Sequence, residues 1–540
     1  MKVILTLFLP LFLLSSSCLA RIIRPDLEFY NGKRITSIEI VRKNIFDDVL
    51  ATNKHHPVYY RWANRLHIMT KESVVRRELL FAVGEKLDPE KIIETERNLR
   101  LNGFIGEANI TAKPDSADGV DILVVTSDLW TSKVSIYVDL AGGKYATGVD
   151  LTEQNLLGYG KMIDVLGQVG NDQDGYHAIY LDNRLIGSRI ALGLSINDFT
   201  YENGFSLSLS RPQYSLSVPT SFAMSYSRLH SRPRLFFEGK EYFRYRENQE
   251  DFRFESSYTF GRFRRLSIIA GGFYKSNKYS PDQIDSPLNS LIPSNEIITA
   301  PSAGLSGALV QYDVERYLDA PGTPEDLTLG AGLKITLSKS LKSLGATYTG
   351  LAPAFTAQFL GKLSEHAFIG GSEQITWWHH NGRNERFRHI TEAAFYYKPL
   401  TTNVLVLHTL TDFAWRQKSA YQVYLGGGNG LRGHSFYEFA GTKLALANVE
   451  YRFYTPIEIL TVRLGFAGFF DIGNVWRYNE HIRFGDLKSD VGLGLRFGLT
   501  RSSTSRVVNF DVARALTHYG LYVTFSSSTS MFRLSNINIQ

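Results

Sequence analysis

The feature that most constrains the fold is a change of hydrophobic period at about residue 133. Beyond it, short segments alternate between apolar and polar residues, and clusters of Gly, Asn, Asp and Ser separate them. Such segments lie at residues 133–140, 176–183, 188–195, 205–210 and 264–274. Alternation over about ten residues per segment is typical of a transmembrane β-barrel. The pattern therefore predicts a membrane β-barrel over residues 133–526.

The predicted barrel must close on itself, because lipid offers no partners to the backbone groups of an open sheet edge. About 390 residues are available for it. At roughly 24 residues per strand and connection, they would form about 16 antiparallel strands, an even number as in bacterial barrels. A large soluble β-sandwich or propeller is the competing fold. The aromatic content of 13%, the single cysteine and the signal-like N-terminus argue against it.

The N-terminus has the pattern of a secretory signal peptide. Lys2 precedes an apolar run over residues 3–14, and small residues follow up to Ala20. We predict a signal peptide over residues 1–20 that is cleaved after Ala20. Lipidation of Cys18 is the alternative. The apolar run is too short for a membrane anchor, which needs about 20 residues.

The charge distribution favours a polar barrel lumen over a nucleic-acid site. The formal net charge is +6, but no Lys/Arg block occurs, and charges alternate with aromatic residues along the predicted strands. Nucleic-acid binding needs clustered cations that neutralise phosphates. We therefore expect a lipid environment and no nucleic-acid partner.

Residues 30–129 have the pattern of a small α+β domain. The expected elements are a strand at 35–41, a helix from the N-cap Thr70 to 81, a helix at 89–101 capped by Asp88, and strands at 108–113 and 120–126. Pro89 fits the first helical position after a capping carboxylate. Ile92 and Leu99 lie two turns apart and should face the core. A long aromatic and basic segment, residues 42–69, interrupts the pattern.

A glycine-rich loop presents an arginine between two predicted strands. The run Gly426-Gly427-Gly428-Asn429-Gly430 is followed by Leu431-Arg432-Gly433-His434. An arginine on so flexible a loop needs a nearby anion. Carboxylates follow on the polar faces of alternating strands, Glu450 on one and Asp471 on the next. The sequence therefore predicts a charged latch inside a barrel.

No motif in the chain indicates catalysis. The glycine loop fits G-x-G-x-x-G at residues 428–433, but no helix pattern follows, so a dinucleotide site is not expected. The histidine pairs at 55–56 and 379–380 lack a third ligand at metal spacing. A G-x-S-x-G elbow does not occur. We predict no enzyme activity, no cofactor and no metal.

Five motifs follow each other in the C-terminal third and resemble the BamA/TamA family of outer-membrane protein assembly, whose barrels are of the surface-antigen type. The motifs are Leu431-Arg432-Gly433-His434, Asn448-Val449-Glu450-Tyr451-Arg452-Phe453, Phe469-Phe470-Asp471-Ile472-Gly473-Asn474-Val475-Trp476, Gly492-Leu493-Gly494-Leu495-Arg496 and Asn509-Phe510-Asp511-Val512-Ala513. His434 stands where the family has an aromatic residue. The order of elements before the barrel is similar to a POTRA module, the family's periplasmic domain.

The resemblance implies particular roles for the loop and its partners. Arg432, next to Gly433, would act as the latch, with Asp471 as its main counter-charge and Asp511 as a secondary partner. Glu450 would face the same lumen. The segment 518–525 resembles a C-terminal targeting strand, in which Gly520 precedes the lipid-facing Val523 and Phe525. Such strands end the chain in most outer-membrane proteins, whereas a tail over residues 527–540 follows here.

The function implied by the resemblance is the insertion or translocation of other proteins at the outer membrane. The POTRA-like domain would lie in the periplasm and bind unfolded client proteins at its sheet edge. Its partners would be outer-membrane lipid, unfolded outer-membrane or secreted clients, and periplasmic chaperones or accessory proteins. A passive pore or a dedicated two-partner-type secretion channel is the alternative.

Overall fold

The computed structural model describes most of the chain. The described residues are 24–46, 57–115, 119–141, 144–284, 286–319, 324–417, 420–459, 461–502, 507–516 and 520–526. The expected signal peptide, the lipidation of Cys18 and the tail 527–540 lie outside the described residues. Within the described ranges, no helix is both long and apolar enough to cross a membrane.

An α+β unit precedes the barrel. Its elements are α1 (Pro25–Glu28), β1 (Ile35–Lys43), α2 (Pro57–Leu66), α3 (Glu72–Glu78), α4 (Pro89–Leu101), β2 (Ile105–Pro114) and β3 (Val120–Asp128). Strand β3 is the middle strand of a three-stranded sheet, parallel to β1 and antiparallel to β2. Helices α1, α3 and α4 cover one face of this sheet, and Ile92 and Leu99 are buried there as their spacing predicted.

Of the two predicted helix caps, the structure has Asp88 in that role but not Thr70. Asp88 caps α4, because its carboxylate accepts a hydrogen bond of 3.0 Å from the Glu90 N–H. Thr70 does not cap α3, so that prediction was wrong. Lys71 is the N-cap, and Thr70 is fully buried with its N–H donating to Asp128 and its hydroxyl 2.9 Å from Asn155. Tertiary contacts therefore decide where α3 begins.

The barrel follows directly after β3. Its strands are β4 (Ser132–Ala141), β5 (Lys144–Glu153), β6 (Lys161–Gly170), β7 (Gly175–Asp182), β8 (Ala191–Phe199), β9 (Glu202–Arg211), β10 (Thr220–Ser231), β11 (Arg234–Phe237), β12 (Lys240–Phe260), β13 (Arg264–Pro281), β14 (Glu296–Glu315), β15 (Glu325–Ser340), β16 (Gly350–Ser364), β17 (Ala367–His380), β18 (Arg383–Leu400), β19 (Asn403–Trp415), β22 (Lys443–Ile459), β23 (Val462–Trp476), β24 (Lys488–Leu499), β25 (Val507–Ala515) and β26 (Leu521–Ser526). Between β19 and β22, a loop contains the short strands β20 (Val423–Leu425) and β21 (Phe439–Gly441).

The barrel has more strands than the 16 that were expected. In the described part of the chain, a sheet of about 21 strands closes on itself. The estimate assumed long connections, whereas β4 to β9 have only 8–10 residues each, and two-residue turns such as Asn381-Gly382 join several strands. Strand β11 pairs only with the start of β12, and β10 pairs directly with the rest of β12. The wall without β11 therefore has an even number of strands.

The barrel closes between its first and last described strands. Among the described residues, β26 and β4 are joined at one residue pair, Phe525 with Leu140. Strands β12 and β13, by contrast, pair continuously from Tyr245–Pro281 to Phe260–Leu266. We call the junction of β4 and β26 the seam.

The α+β unit rests on one end of the barrel, which we call the lower rim. Its connecting segments include residues 154–160, 183–190, 212–219, 261–263 and 316–319. The Arg100 guanidinium forms a two-pronged pair with Asp326, at 2.6 and 3.0 Å. Glu94 accepts hydrogen bonds from Ser215 Oγ and Leu216 N, at 2.6 and 2.7 Å. The unit is therefore fixed to the barrel by a half-buried ion pair and by buried hydrogen bonds to a carboxylate.

Candidate functional site

The loop between β19 and β22 turns into the lumen at its glycines. Gly426, Gly427 and Gly430 have φ values of 125°, 60° and 112°, which a side chain would strain. Leu431 is fully buried against the inner wall, in a cluster that includes Leu446 and Val475. The loop is thus folded inward, and the residue after Leu431 points to the strands behind it.

Arg432 is surrounded by carboxylates. Its Nε and Nη2 donate to the two oxygens of Asp471 at 2.8 and 2.9 Å. Its Nη1 donates to Glu450 at 2.8 Å and to Asp511 at 3.2 Å. The guanidinium carbon also lies 3.3 Å from the centre of the Phe469 ring. The structure therefore brings together the arginine and the three carboxylates that the sequence proposed.

Each carboxylate comes from a different strand. Glu450, Asp471 and Asp511 lie on β22, β23 and β25, at positions whose side chains face the lumen. Outward neighbours such as Val449 and Phe466 are exposed, because successive strand residues point to opposite faces. The alternation of the sequence places all three acids on one curved surface.

Two further arginines belong to the same group. Arg496 on β24 contacts Glu450 at 3.2 Å and Asp511 at 2.5 Å. Arg452 on β22 contacts Glu450 at 2.8 Å. We call the six residues the lumen cluster: Arg432, Arg452, Arg496, Glu450, Asp471 and Asp511. Sequence reasoning missed Arg496 as a site residue, although it alternates with Gly494 and Gly492 on the inward face and could have been found that way.

The lumen cluster extends to the lower rim. Arg452 Nη1 lies 3.3 Å from Asp319, in a turn that folds into the lumen from below. Asp319 also accepts a hydrogen bond of 2.7 Å from the hydroxyl of Tyr396. Glu325 accepts hydrogen bonds from the backbone N–H of Asp319, and the next residue, Asp326, pairs with Arg100. Ion pairs and hydrogen bonds thus connect the upper loop with the α+β unit.

Gly433 allows the loop to approach β24 and β25. A Cβ atom on Gly433 would lie 2.5 Å from Asp490 Cβ and 2.9 Å from the backbone nitrogen of Ala515. Asp490 is fully buried and lies directly opposite Asp471 in the β23–β24 pairing. Glycine is therefore required here by space, since its φ is not in the left-handed region.

His434 occupies the position at which the BamA/TamA resemblance predicts an aromatic side chain. It is fully buried, its ring packs edge-on to Phe439 with centroids 5.2 Å apart, and its Nδ1 lies 3.2 Å from Glu438. The imidazole therefore packs against an aromatic ring of the loop, Phe439, and also makes a polar contact with Glu438.

The proposed targeting strand forms β26, the last strand of the wall among the described residues. Val523 and Leu521 are exposed on the outer face of β26, whereas Tyr522 faces inward and its hydroxyl lies 3.1 Å from Ser435 of the loop. Gly520 directly precedes the strand, and Phe525 pairs with Phe510 and, across the seam, with Leu140.

Each buried charge in the lumen cluster depends on its partners for stabilisation. All six side chains are buried, with Asp471 at 0% and Arg432 at 3% exposure. Buried charges lose most of their hydration, and paired hydrogen bonds of good geometry compensate for that loss. Removing one partner leaves the others without compensation, so each member fixes the position of the loop.

Comparison with known proteins identifies the region that contains this cluster. Residues 330–519 match the model of the Omp85 superfamily domain. A putative outer membrane protein assembly factor of Treponema pallidum (strain Nichols) is 28% identical over 182 residues, which are 30% of this chain. The chain matches only 22% of the length of that relative.

Solved structures of low sequence identity are also similar to the chain. BamA from Haemophilus ducreyi lacking POTRA domains 1–3 is 14% identical, with a TM-score of 0.39, and the match covers 91% of this chain and 84% of that one. CdiB from Acinetobacter baumannii is 13% identical, with a TM-score of 0.46, over 92% of this chain and 73% of that one. Residues 330–519, which match the Omp85 superfamily domain, contain all six residues of the lumen cluster.

Proposed function

We propose that this protein assists the insertion or translocation of other proteins at the outer membrane, without enzymatic chemistry. The observation that carries the proposal is the position of the lumen cluster beside the seam. The described residues of the seam give one backbone residue pair, and strands β22 to β25 beside it are held to the loop by three arginines and three carboxylates. Such a barrel can open at the seam while its shape is kept.

An opened seam would expose the edges of β4 and β26. Exposed strand edges present unpaired N–H and C=O groups that pair with another extended chain. A client strand could therefore add to the edge and enter the lipid already hydrogen-bonded, as every strand in lipid must be. The assembly-factor relative supports this reading.

In this proposal Arg432 is the latch, Asp471 its main partner, and Glu450 and Asp511 its further partners. The α+β unit, as a periplasmic POTRA-like domain over residues 30–129, would deliver unfolded clients, with β1 and β2 as its edge strands. Periplasmic chaperones or accessory proteins are further expected partners. The tight ionic fixation of the unit to the lower rim would place clients close to the seam.

A passive pore or a dedicated secretion channel is the competing function. Two segments occupy the lumen, the inward loop with Arg432 and the lower turn with Leu318, which is fully buried. A lumen occupied from both ends favours assembly over passive conduction. Depletion in the native host separates the functions, because assembly predicts loss of many outer-membrane proteins and a dedicated channel predicts loss of one secreted protein.

The seam itself can be tested with a cross-link. In a Cys18→Ser background, Leu140→Cys with Phe525→Cys places two thiols at directly opposed positions of the seam. Thr259→Cys with Ser267→Cys is the matched control, at opposed positions of the continuous β12–β13 pair. Oxidation should stop client insertion only with the seam pair. Equal insertion in both oxidised proteins would refute opening at the seam.

A further inference from the structure

Helix α2, which lies in the unassigned segment 42–69, exposes a row of large apolar side chains. Val58, Trp62 and Leu66 are 69%, 65% and 53% exposed, and their spacing of four residues places them on one side of the helix. Tyr59 beside them is also exposed. A contiguous exposed apolar surface on an otherwise well-packed unit indicates a contact with something outside the chain.

The charged residues of α2 have one sign. Arg61 and Arg65 are exposed and flank the apolar row, and the sequence PVYYRWANRL contains no acidic residue. Helices that combine Trp, Leu or Phe on one face with Lys and Arg beside it lie in the interface of lipid bilayers. Tryptophan and tyrosine prefer the headgroup level, where an apolar ring can keep a polar edge in water.

The opposite side of α2 is fixed to the protein. Ala63 packs with Ile45 and Phe46 in a small buried cluster to which Trp130 contributes. The Asn64 side chain accepts a hydrogen bond of 3.1 Å from the Phe46 N–H and donates one of 2.8 Å to the Phe46 carbonyl. The row of Val58, Trp62 and Leu66 therefore faces away from the protein.

The contacts of Trp130 define the height of α2 relative to the barrel. Its N–H donates to the carbonyl of Arg501, in the turn between β24 and β25, at 3.0 Å. Strand β4 begins two residues later, and its Val134 is 78% exposed on the lipid-facing side. At about 3.3 Å per residue, Val134 lies roughly 13 Å along the chain from Trp130. Helix α2 thus lies at the lower rim, beside the seam.

Neighbouring residues of the rim continue the apolar surface. Ile68, just after α2, and Leu157, in the first turn of the lower rim, are 54% and 58% exposed. The two segments are in contact, because the Lys71 N–H donates to the carbonyl of Gly158 at 2.9 Å. The apolar surface therefore runs from α2 to the rim of the first strands, where the lipid-facing belt begins.

We propose that α2 is an interfacial helix that binds the surface of the membrane leaflet at the lower rim. Val58, Trp62 and Leu66 enter the boundary between headgroups and acyl chains, and Arg61 and Arg65 lie at the level of the lipid phosphates. The bound occupant is a phospholipid surface, and the helix holds the leaflet against the protein beside the seam. This binding is independent of the proposed assembly function.

Fluorescence quenching by lipid tests the proposal on the full chain in nanodiscs of phosphatidylcholine and phosphatidylglycerol. Bimane is attached at Val58→Cys or, as a matched control, at Val83→Cys, each in a Cys18→Ser background. Both valines are exposed, at 69% and 58%. Val83 lies between α3 and α4, and the next residue, Gly84, donates its N–H to the carbonyl of Ile35 at the start of β1. This end of the sheet is opposite the end that leads into the barrel. Leu66→Cys provides a second position on α2.

The expected result is a loss of bimane emission at 58 and 66 when acyl-brominated lipid replaces ordinary lipid, with no loss at 83. Acrylamide in the aqueous phase should quench the label at 83 more strongly than those on α2. Labels on α2 that respond to acrylamide like position 83 and ignore brominated lipid would overturn the proposal. That outcome would leave the row as a docking surface for a protein.

Discussion

The two sides of the seam are held together in different ways. On one side, β4 to β9 are short strands of 8–10 residues, and the α+β unit rests on their lower turns. On the other side, β22 to β25 are bound to each other and to the loop by the lumen cluster. The difference shows that this barrel concentrates its buried charges on one side of the seam.

Removing Glu450 should break the fixed side most severely. Its carboxylate contacts all three arginines, at 2.8, 2.8 and 3.2 Å. Glu450→Ala leaves three buried cations without their shared anion, at a cost of about 3–5 kcal/mol. Urea unfolding of the micelle-bound barrel measures the loss. Glu255→Ala is the control, because Glu255 forms a half-exposed pair with Lys334 that contributes about 0–1 kcal/mol. Equal losses in both variants would contradict the account.

Breaking the ion pair between Arg100 and Asp326 at the lower rim should destabilise the attachment of the α+β unit, by less than the loss of Glu450 destabilises the barrel. Arg100→Ala removes a two-pronged pair with Asp326 in which both side chains are mostly buried. A hydrogen bond to a charged group contributes about 1.5–3 kcal/mol. Backbone hydrogen exchange in α4 should accelerate, while exchange in β22 and β23 stays unchanged. Arg76→Ala, which breaks an exposed pair with Glu72, should leave both unchanged.

Neutralising Asp490 should have little effect or stabilise the fixed side. Its side chain lies opposite Asp471, and among the described residues no arginine forms an ion pair with it. Like charges directly opposite each other in a sheet are destabilising, by roughly 0.2–1 kcal/mol. Asp490→Asn keeps the size of the side chain and should leave the urea midpoint unchanged or raise it. A lower midpoint would show that Asp490 supports the cluster as an anion.

Acid should loosen the upper end of the barrel slightly. Asp172 lies in the turn between β6 and β7, and the hydrogen bond from Arg234, at 2.8 Å, lowers the pKa of its carboxyl group. Because the folded pKa is depressed, this stabilisation is complete above the unfolded value of about 3.9 and disappears as pH falls through the folded value. Hydrogen exchange in β11 should rise at that pH. The rise should be absent in Asp172→Asn.

Much of this asymmetry could be predicted from alternation and motif order. The period of two placed Glu450 and Asp471 on the polar faces of their strands, and the resemblance added Asp511. The structure has all three carboxylates around Arg432. The helix at Asp88 was predictable because a cap and a following proline are local signals.

The remaining features depend on contacts between distant segments. Asp319 joins the lumen cluster only because the lower turn folds inward, and the strand count depended on turns shorter than average. The local sequence around Thr70 predicted a helix cap. Its actual partners, Asp128 and Asn155, are 58 and 85 residues away and give no local signal. Segment 42–69 gave no family signal, although it contains the helix beside the seam.

The most direct test of the account is the rate at which reconstituted protein inserts an unfolded barrel client when Arg432 is replaced. Arg432→Ala should slow insertion by at least about tenfold, since a buried group that loses its partner costs about 3–5 kcal/mol. Arg432→Lys should recover only part of the rate, because lysine cannot make the two-pronged pair with Asp471. An Arg432→Ala protein that is folded, as heat-resistant as the parent and fully active would contradict the central claim.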